Sequence, residues 1–366
     1  MYMKRYSLLF IMIVVIFAFF SASCATLENK ILEETSFLTS NESNEYSEYS
    51  EILFEDNSIM INKKENIDLA SIQNFNKAVG GYAIEIDGTL FFSNPSDGNS
   101  LYKESLNDGV QTKIGYLNSE FRFTNFQRYE DSLFYMKKER LENIIETEFA
   151  QIAFSNTIVC MNLVNNEEKM ILNANPVIDF VVYDDILFYS TYSQNKKCEF
   201  WQFELTHQTN KKLADFDYPM SMQASNNKVY LSFDETLVVY DINRKTTSFH
   251  LLPQNSFAVL DDGIIYIDSD SLHLYKLKYD HELMDFDYEN VMQLCNEKVE
   301  TFNIYGDDLI FSDVKTSDLY YVNGSTKEKQ KIGSGDSPIV ISNGIVFIND
   351  YNKMEIFKFY NNKYDQ

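Results

Sequence analysis

The feature that most constrains this chain is a hairpin phrase that recurs seven times: IDGTLFFS, YEDSLFYM, YDDILFYS, SNNKVYLS, LDDGIIYI, YGDDLIFS and ISNGIVFI. Each copy has a polar turn pair, one variable position, an aliphatic residue and then an aromatic one. The aromatics fall at Phe91, Phe134, Phe188, Tyr230, Tyr266, Phe311 and Phe347, with gaps of 43, 54, 42, 36, 45 and 36 residues. Asp-Gly, Asn-Gly and Asn-Asn tolerate the positive φ angles of a tight hairpin. The residues after the turn are apolar at successive positions, so both faces of the strand must be covered by neighbouring sheets.

A second strand follows each hairpin (SLYKESL, TIVCMNL, FWQFELT, LVVYDIN, LHLYKLK, LYYVNGS and EIFKFYN), and a weaker segment usually comes next. The unit is thus a four-stranded antiparallel blade with a period near 45 residues, which is the signature of a β-propeller. The expected fold is all-β, a single propeller over residues 51–366 with about seven four-stranded blades, six or eight being the neighbouring counts. The last unit stops after three strands, whereas EILFEDNSIMINKK carries the turn scheme without a complete unit around it. A strand from residues 51–62 is therefore expected to supply the missing outer strand and close the ring, leaving no open edge. Residues 137–150 form an insertion, read either as part of a helix or as an extended hairpin.

The segment SNPSDGNSLYKESLNDGVQTKIG, residues 93–115, resembles a unit of low-density-lipoprotein-receptor-type propellers, and more closely an uncharacterised group of bacterial propeller proteins related to them. The similarity runs in weakened form over about residues 80–366. The receptor family's Tyr-Trp-Thr-Asp tetrapeptide is absent, and Trp201 is the only tryptophan. The resemblance implies the fold and a bias toward binding over catalysis.

At the N-terminus, Lys4 and Arg5 precede thirteen apolar residues from Leu8 to Phe20, the charged and apolar regions of a secretory signal. Ser21-Ala22-Ser23-Cys24 follows and resembles the lipobox of bacterial lipoproteins, with Ser21 in place of the usual Leu. That resemblance implies removal of residues 1–23, lipidation of Cys24 and anchoring at the extracytoplasmic face of the cell membrane. Ser21 and Ser23 also suit a signal peptidase that releases a soluble protein, and Tyr6 to Ala25 is long enough to stay as an uncut anchor. Residues 24–50 are mostly polar, cannot bury enough surface to offset their ordering entropy, and read as a disordered tether.

The formal charge of −24 becomes −26 once Lys4 and Arg5 leave with the signal. Such a surface repels phosphate backbones, so no nucleic-acid partner is expected. Cys160, Cys198 and Cys295 show no CxxC spacing and read as buried thiols. There is no GxSxG elbow, HExxH, P-loop or dinucleotide fingerprint, and GSGDS at residues 333–337 lacks the elbow spacing. No cofactor, metal or catalytic residue is therefore assigned. His250 and His273 lie in or beside strand patterns and read as packing residues. The tetrapeptide Asp-Phe-Asp-Tyr occurs twice, at residues 215–218 and 285–288, without the loop that would make a calcium site.

In propellers the links between blades share one face with the middle loop of each blade, and here these loops are longer than the hairpins opposite. The candidate ligand-binding residues on that face are Asp97, Tyr192, Phe216, Asp217, Tyr218, Asp313, Asp350 and Tyr351. The expected function is a non-catalytic binding module for a glycan, peptide or partner protein. The alternative is a glycan-active enzyme using acidic residues of the same loops. The address has a direct test. Cys24→Ala should release the mature protein from membranes or leave its precursor uncut. Mass spectrometry that finds an unmodified N-terminus at Cys24 in the wild type would refute lipidation.

Overall fold

The computed structural model describes residues 61, 64 and 73–359, apart from 115–122, 147–150, 173–175, 193–196, 218–220, 234, 255, 281–284 and 350–352. The signal segment 1–23, Cys24, the tether 24–50 and, Ile61 apart, the closing strand at 51–62 lie outside the described residues.

Seven antiparallel sheets form a seven-bladed propeller. Their inner strands are Ala83–Ile86, Thr124–Tyr129, Val177–Tyr183, Ser221–Ser225, Ser256–Leu260, Val299–Tyr305 and Asp336–Ile341. Each inner strand returns through a two-residue turn into its second strand, and the later strands meander outward. The turn chemistry is that read from the sequence. Asp87-Gly88 and Asn226-Asn227 have positive φ at both positions, the geometry that matches the twist of a two-residue hairpin. The outer position of blade 5 is filled by two short pieces, Asp285–Phe286 and Met292–Gln293, both paired with Leu274–Asp280. Blade 7 has three strands among the described residues.

All seven repeat aromatics are buried, none more than 7% exposed. They do not all face the same way. In blades 1 to 4 the aromatic stands three residues past the turn, and in blades 5 to 7 it stands four past, because the turns there fall one position earlier in the phrase. A one-residue shift moves a strand side chain to the other face. Phe91 accordingly packs into the core shared with blade 2 and Tyr230 into that shared with blade 5. Tyr266 instead packs back toward blade 4, and Phe347 lies against Gly333 of blade 6. Both faces of every blade are apolar, so either orientation buries the ring.

An apolar cluster fills every seam. Blades 1 and 2, 2 and 3, 3 and 4, and 4 and 5 each share one. Blades 5, 6 and 7 share another that includes Phe302, Phe311 and Phe347. The seam between blades 7 and 1 joins Ile339, Ile341, Val346 and Ile348 to Tyr82, Leu90 and Phe92, so the ring is closed by packing. Ile61, 2% exposed, sits in the same cluster as Phe357 and Phe359 of blade 7. Close by, Lys64 Nζ lies 2.7 Å from the buried Asp308 carboxylate, and the Lys64 amide donates to the Tyr305 hydroxyl at 2.7 Å.

The insertion is an extended hairpin. The second strand of blade 2 runs Ser132–Glu146 and the third Gln151–Asn162, pairing Phe134 with Cys160 and continuing out to Glu146 with Gln151.

The sequence reading did not foresee a short helix, α1 (Gln73–Ala78), which runs between the inner strands in the central channel of the ring. Six residues do not hold a helix in water, so its burial must stabilise it. Phe75 is 1% exposed and meets the Phe302 ring edge-on at 6.1 Å. Asn76 joins blades 6 and 7: its Nδ2 donates to Val340 O at 3.1 Å, while its Oδ1 accepts from Val340 N at 2.9 Å and Asn303 Nδ2 at 2.7 Å. Asn74 Nδ2 donates to Ala224 O of blade 4 at 3.0 Å. Ser256 Oγ of blade 5 donates to Ala78 O at 3.4 Å. Gly80 and Gly81, with φ of +97° and +52°, then turn the chain out toward blade 2, where Gly81 passes so close to Asn125 that a Cβ would lie 3.2 Å from its Cα.

Asn76→Ala should leave buried partners on blades 6 and 7 unpaired. It is expected to lower stability by on the order of 3 kcal/mol, read from urea unfolding. An unchanged midpoint would show that α1 does not brace the ring.

Candidate functional site

Strand direction divides the propeller into a hairpin face, carrying the turns after the inner strands, and a loop face, carrying the middle loops and the links between blades. The chain leaves α1 toward the loop face. There Lys77, Gly80, Thr124, Asn125, Met136, Ile178, Asp179 and Ser221 line a cavity of about 320 Å³ beside the axis, bounded by blades 2, 3 and 4. The extended hairpin of blade 2 projects from the same face.

The charges in this cavity are a pair. Lys77 Nζ lies 2.9 Å from both Asp179 carboxylate oxygens and donates to Phe180 O at 2.6 Å. The side chains are 7% and 13% exposed. Burial pulls the Lys77 ammonium below its ordinary pKa, and the Asp179 charge partly restores it. Asp179 also accepts from Asn125 Nδ2 of blade 2 at 2.8 Å, from the Phe180 amide at 2.8 Å and from the Met222 amide of blade 4 at 2.6 Å. Neighbouring channel-facing amides are matched as well. Gln127 Oε1 accepts from Val182 N, and Gln223 bridges to Phe257 O and Val259 N. The Asp179 carboxylate is thus engaged by donors from α1 and from blades 2, 3 and 4. The arrangement fixes the plug and shapes a rigid, polar-rimmed hollow.

None of the five described sequence candidates lines this cavity. Asp97 sits in the middle loop of blade 1, where its Oδ2 accepts from Lys113 Nζ and the Tyr102 hydroxyl, each at 2.8 Å. The Lys113 contact holds its carboxyl below the usual carboxylate range. Asp313 Oδ1 closes its own turn, accepting from the Lys315 and Thr316 amides at 2.9 and 3.1 Å. Asp217 is exposed and stands 3.5 Å from Lys197. Phe216 packs on Phe200, and Tyr192 is half-buried at the end of a blade 3 strand. Tyr218, Asp350 and Tyr351 lie outside the described residues. The second Asp-Phe-Asp-Tyr copy is structural: Phe286 is buried against Tyr279 and His250, and Asp287 holds Asn290. Cys198 is fully buried, Cys160 and Cys295 are half-buried, and none of the three forms a disulfide. Among the described residues no group of three or more His, Cys, Asp or Glu side chains converges as a metal site.

Sequence reasoning missed the channel residues. Asn125 and Asp179 stand five positions before a hairpin turn, and Gln127, Gln223 and Asn303 each stand three before, so three of the seven inner strands carry a polar side chain at one shared offset. That offset was the available signal. On the same face Gln254, 7% exposed on the link from blade 4 to blade 5, has a buried amide without a hydrogen-bond partner.

His250 shows a further ordered contact. Its Nδ1 lies 3.0 Å from Asp285 Oδ1 of blade 5 and its Nε2 lies 2.9 Å from Ser248 Oγ.

No protein-family model matches the chain, and no curated protein matches it. Solved structures do. A puromycin hydrolase mutant complexed with PGG is 10% identical, with 75% of this chain and 49% of that chain covered and a TM-score of 0.51. An oligogalacturonate lyase in complex with manganese is 13% identical over 74% and 85% of the two chains, with a TM-score of 0.49. A nidogen/laminin complex is 8% identical over 67% and 75%, with a TM-score of 0.34. The likeness to the first of these is one of fold.

Burial pushes the His250 pKa below its ordinary value, although Asp285 pulls it up. The unfolded chain therefore binds this proton more readily than the fold does, and stability should fall as pH drops below about 6.5. Urea midpoints between pH 7.5 and 5 should show that loss, and His250→Gln should flatten it. A profile unaltered by the substitution would overturn the assignment.

Proposed function

We propose that this chain is a lipid-anchored, extracytoplasmic propeller that holds a glycan, peptide or partner protein on its loop face without reacting with it. The observation that carries this reading is the state of the axial cavity. Its two ionisable side chains, Lys77 and Asp179, are engaged with each other and with four backbone or amide groups, which leaves the hollow as a shaped surface. Rigid polar-rimmed hollows of about this size suit small recognition elements such as a sugar ring or a peptide side chain. The unmet Gln254 amide on the same face adds a donor and an acceptor that a ligand can satisfy. Two of the loop carboxylates that an enzyme could use are tied elsewhere: Asp97 to Lys113 and Asp313 to its own turn. Lipidation at Cys24 and display outside the cytoplasm belong to the same reading and rest on residues 1–24.

Glycan and peptide arrays probed with the detergent-solubilised protein, beside a hydrolysis and lyase screen on the compounds bound, test it. The expected result is saturable binding without turnover, weakened at least tenfold by Ser221→Arg, which fills the cavity mouth. Turnover that survives purification and is lost on a single Asp→Asn change in the loops would make the chain a glycan-active enzyme and overturn the binding reading.

A further inference from the structure

On the opposite, hairpin face the seam between blades 2 and 3 is held open by a second cavity of about 340 Å³. Its blade 2 wall is a register row: Phe134 pairs with Cys160, and Cys160 pairs with Lys169 on the outermost strand. Phe203 and Leu205 of blade 3 face that row, so the middle of the cleft is apolar. Its two ends carry opposite charges. Near the axis, Glu130 and Asp185 come from the turns that follow the inner strands of blades 2 and 3, and at the periphery stands Lys169. Strands in a sheet lie about 4.8 Å apart, so the carboxylate end and the ammonium end are separated by roughly 10–12 Å.

We infer that this seam is a binding site for a short apolar peptide of three residues with free termini, its ammonium at Glu130 and Asp185 and its carboxylate at Lys169. An extended chain advances about 3.4 Å per residue, so a tripeptide spans the distance between the two ends. The volume lies at the lower end of the range for small-molecule sites. Asp185 is already held in place at the rim, because its Oδ1 accepts from the Thr206 amide at 3.2 Å and the Tyr129 hydroxyl at 3.5 Å. Phe134 is buried, while Cys160, Phe203 and Leu205 are half-buried, so the floor is set and the walls still have apolar surface to lose. The site is separate from the axial cavity and stands or falls independently of it.

Cys160 supplies the readout, because its thiol lies in the wall. In the full-length protein carrying Cys295→Ser, alkylation of Cys160 by iodoacetamide at pH 8.5 should slow at least fivefold on saturation with the peptide Leu-Ala-Leu. Calorimetry should show one saturable site. N-acetylation and C-terminal amidation of the peptide should each weaken binding by about fivefold, the size expected for one exposed ion pair. Glu130→Gln should weaken the free peptide and leave the N-acetylated one unchanged, and Lys169→Met should do the same for the C-terminal amide. Both residues are exposed, so neither substitution threatens folding. Doubly blocked peptide binding as tightly as the free one would overturn the assignment of the charged ends. No saturable binding at millimolar peptide, or calorimetric binding without protection of Cys160, would overturn the site.

Discussion

The ring depends on a problem at its centre. Inner strands arranged around an axis turn one set of side chains into a space that their own ladders cannot fill. Here the Asp179 carboxylate is the point at which that space is made solid. It draws together the ammonium of Lys77 from α1, an amide from blade 2, its own blade's backbone and the backbone of blade 4. A buried carboxylate left alone would be strongly unfavourable, and a buried lysine likewise, so neither is tolerable without the other. The benefit of the pair is specificity as well as cohesion: the helix has one depth and one rotation at which Lys77 reaches Asp179 while Asn76 reaches Val340.

Outside the axis the molecule relies on a more permissive interaction. The seams are closed by large side chains contributed from both sides, and two orientations of the repeat aromatic occur in one ring. Blades 1 to 4 and blades 5 to 7 differ by one residue of register, yet every aromatic ring is buried. Dispersion and burial do not depend on direction, whereas the hydrogen bonds of the channel do. The seams therefore accept either orientation of the ring, whereas the axial contacts require one geometry.

The same contrast explains what the sequence disclosed. The hairpin phrase is local, so Asp87-Gly88 and Asn226-Asn227 announced their turns, and Phe91 and Tyr230 their burial, without knowledge of partners. The seven blades followed from repetition. The helix did not, because QNFNKA is too short to show a period and is polar at four of six positions. Its partners are polar too, and a polar residue within a strand is read locally as a solvent-facing one. Asp97 and Asp313 present the opposite case. Both are in loops of the expected face, but Lys113 and the Lys315 amide, each on the same blade, are what they serve. The charged rim between blades 2 and 3 arises only when two turns, 54 residues apart by the spacing of Phe134 and Phe188, are brought side by side.

The position of α1 in the chain also sets an order of events. The helix precedes every blade, yet Asn76 bonds to Val340, 264 residues later. The helix, made before any blade, must wait for blade 7. Until blade 7 arrives the channel has no wall on that side, and blades 1 and 6 each present an uncovered apolar face. Assembly is accordingly governed by contacts of very long sequence separation, the kind that slows folding and lengthens exposure of incomplete sheets. A chain of this design gains little from folding as it emerges, because its ring closes only once blade 7 has been made.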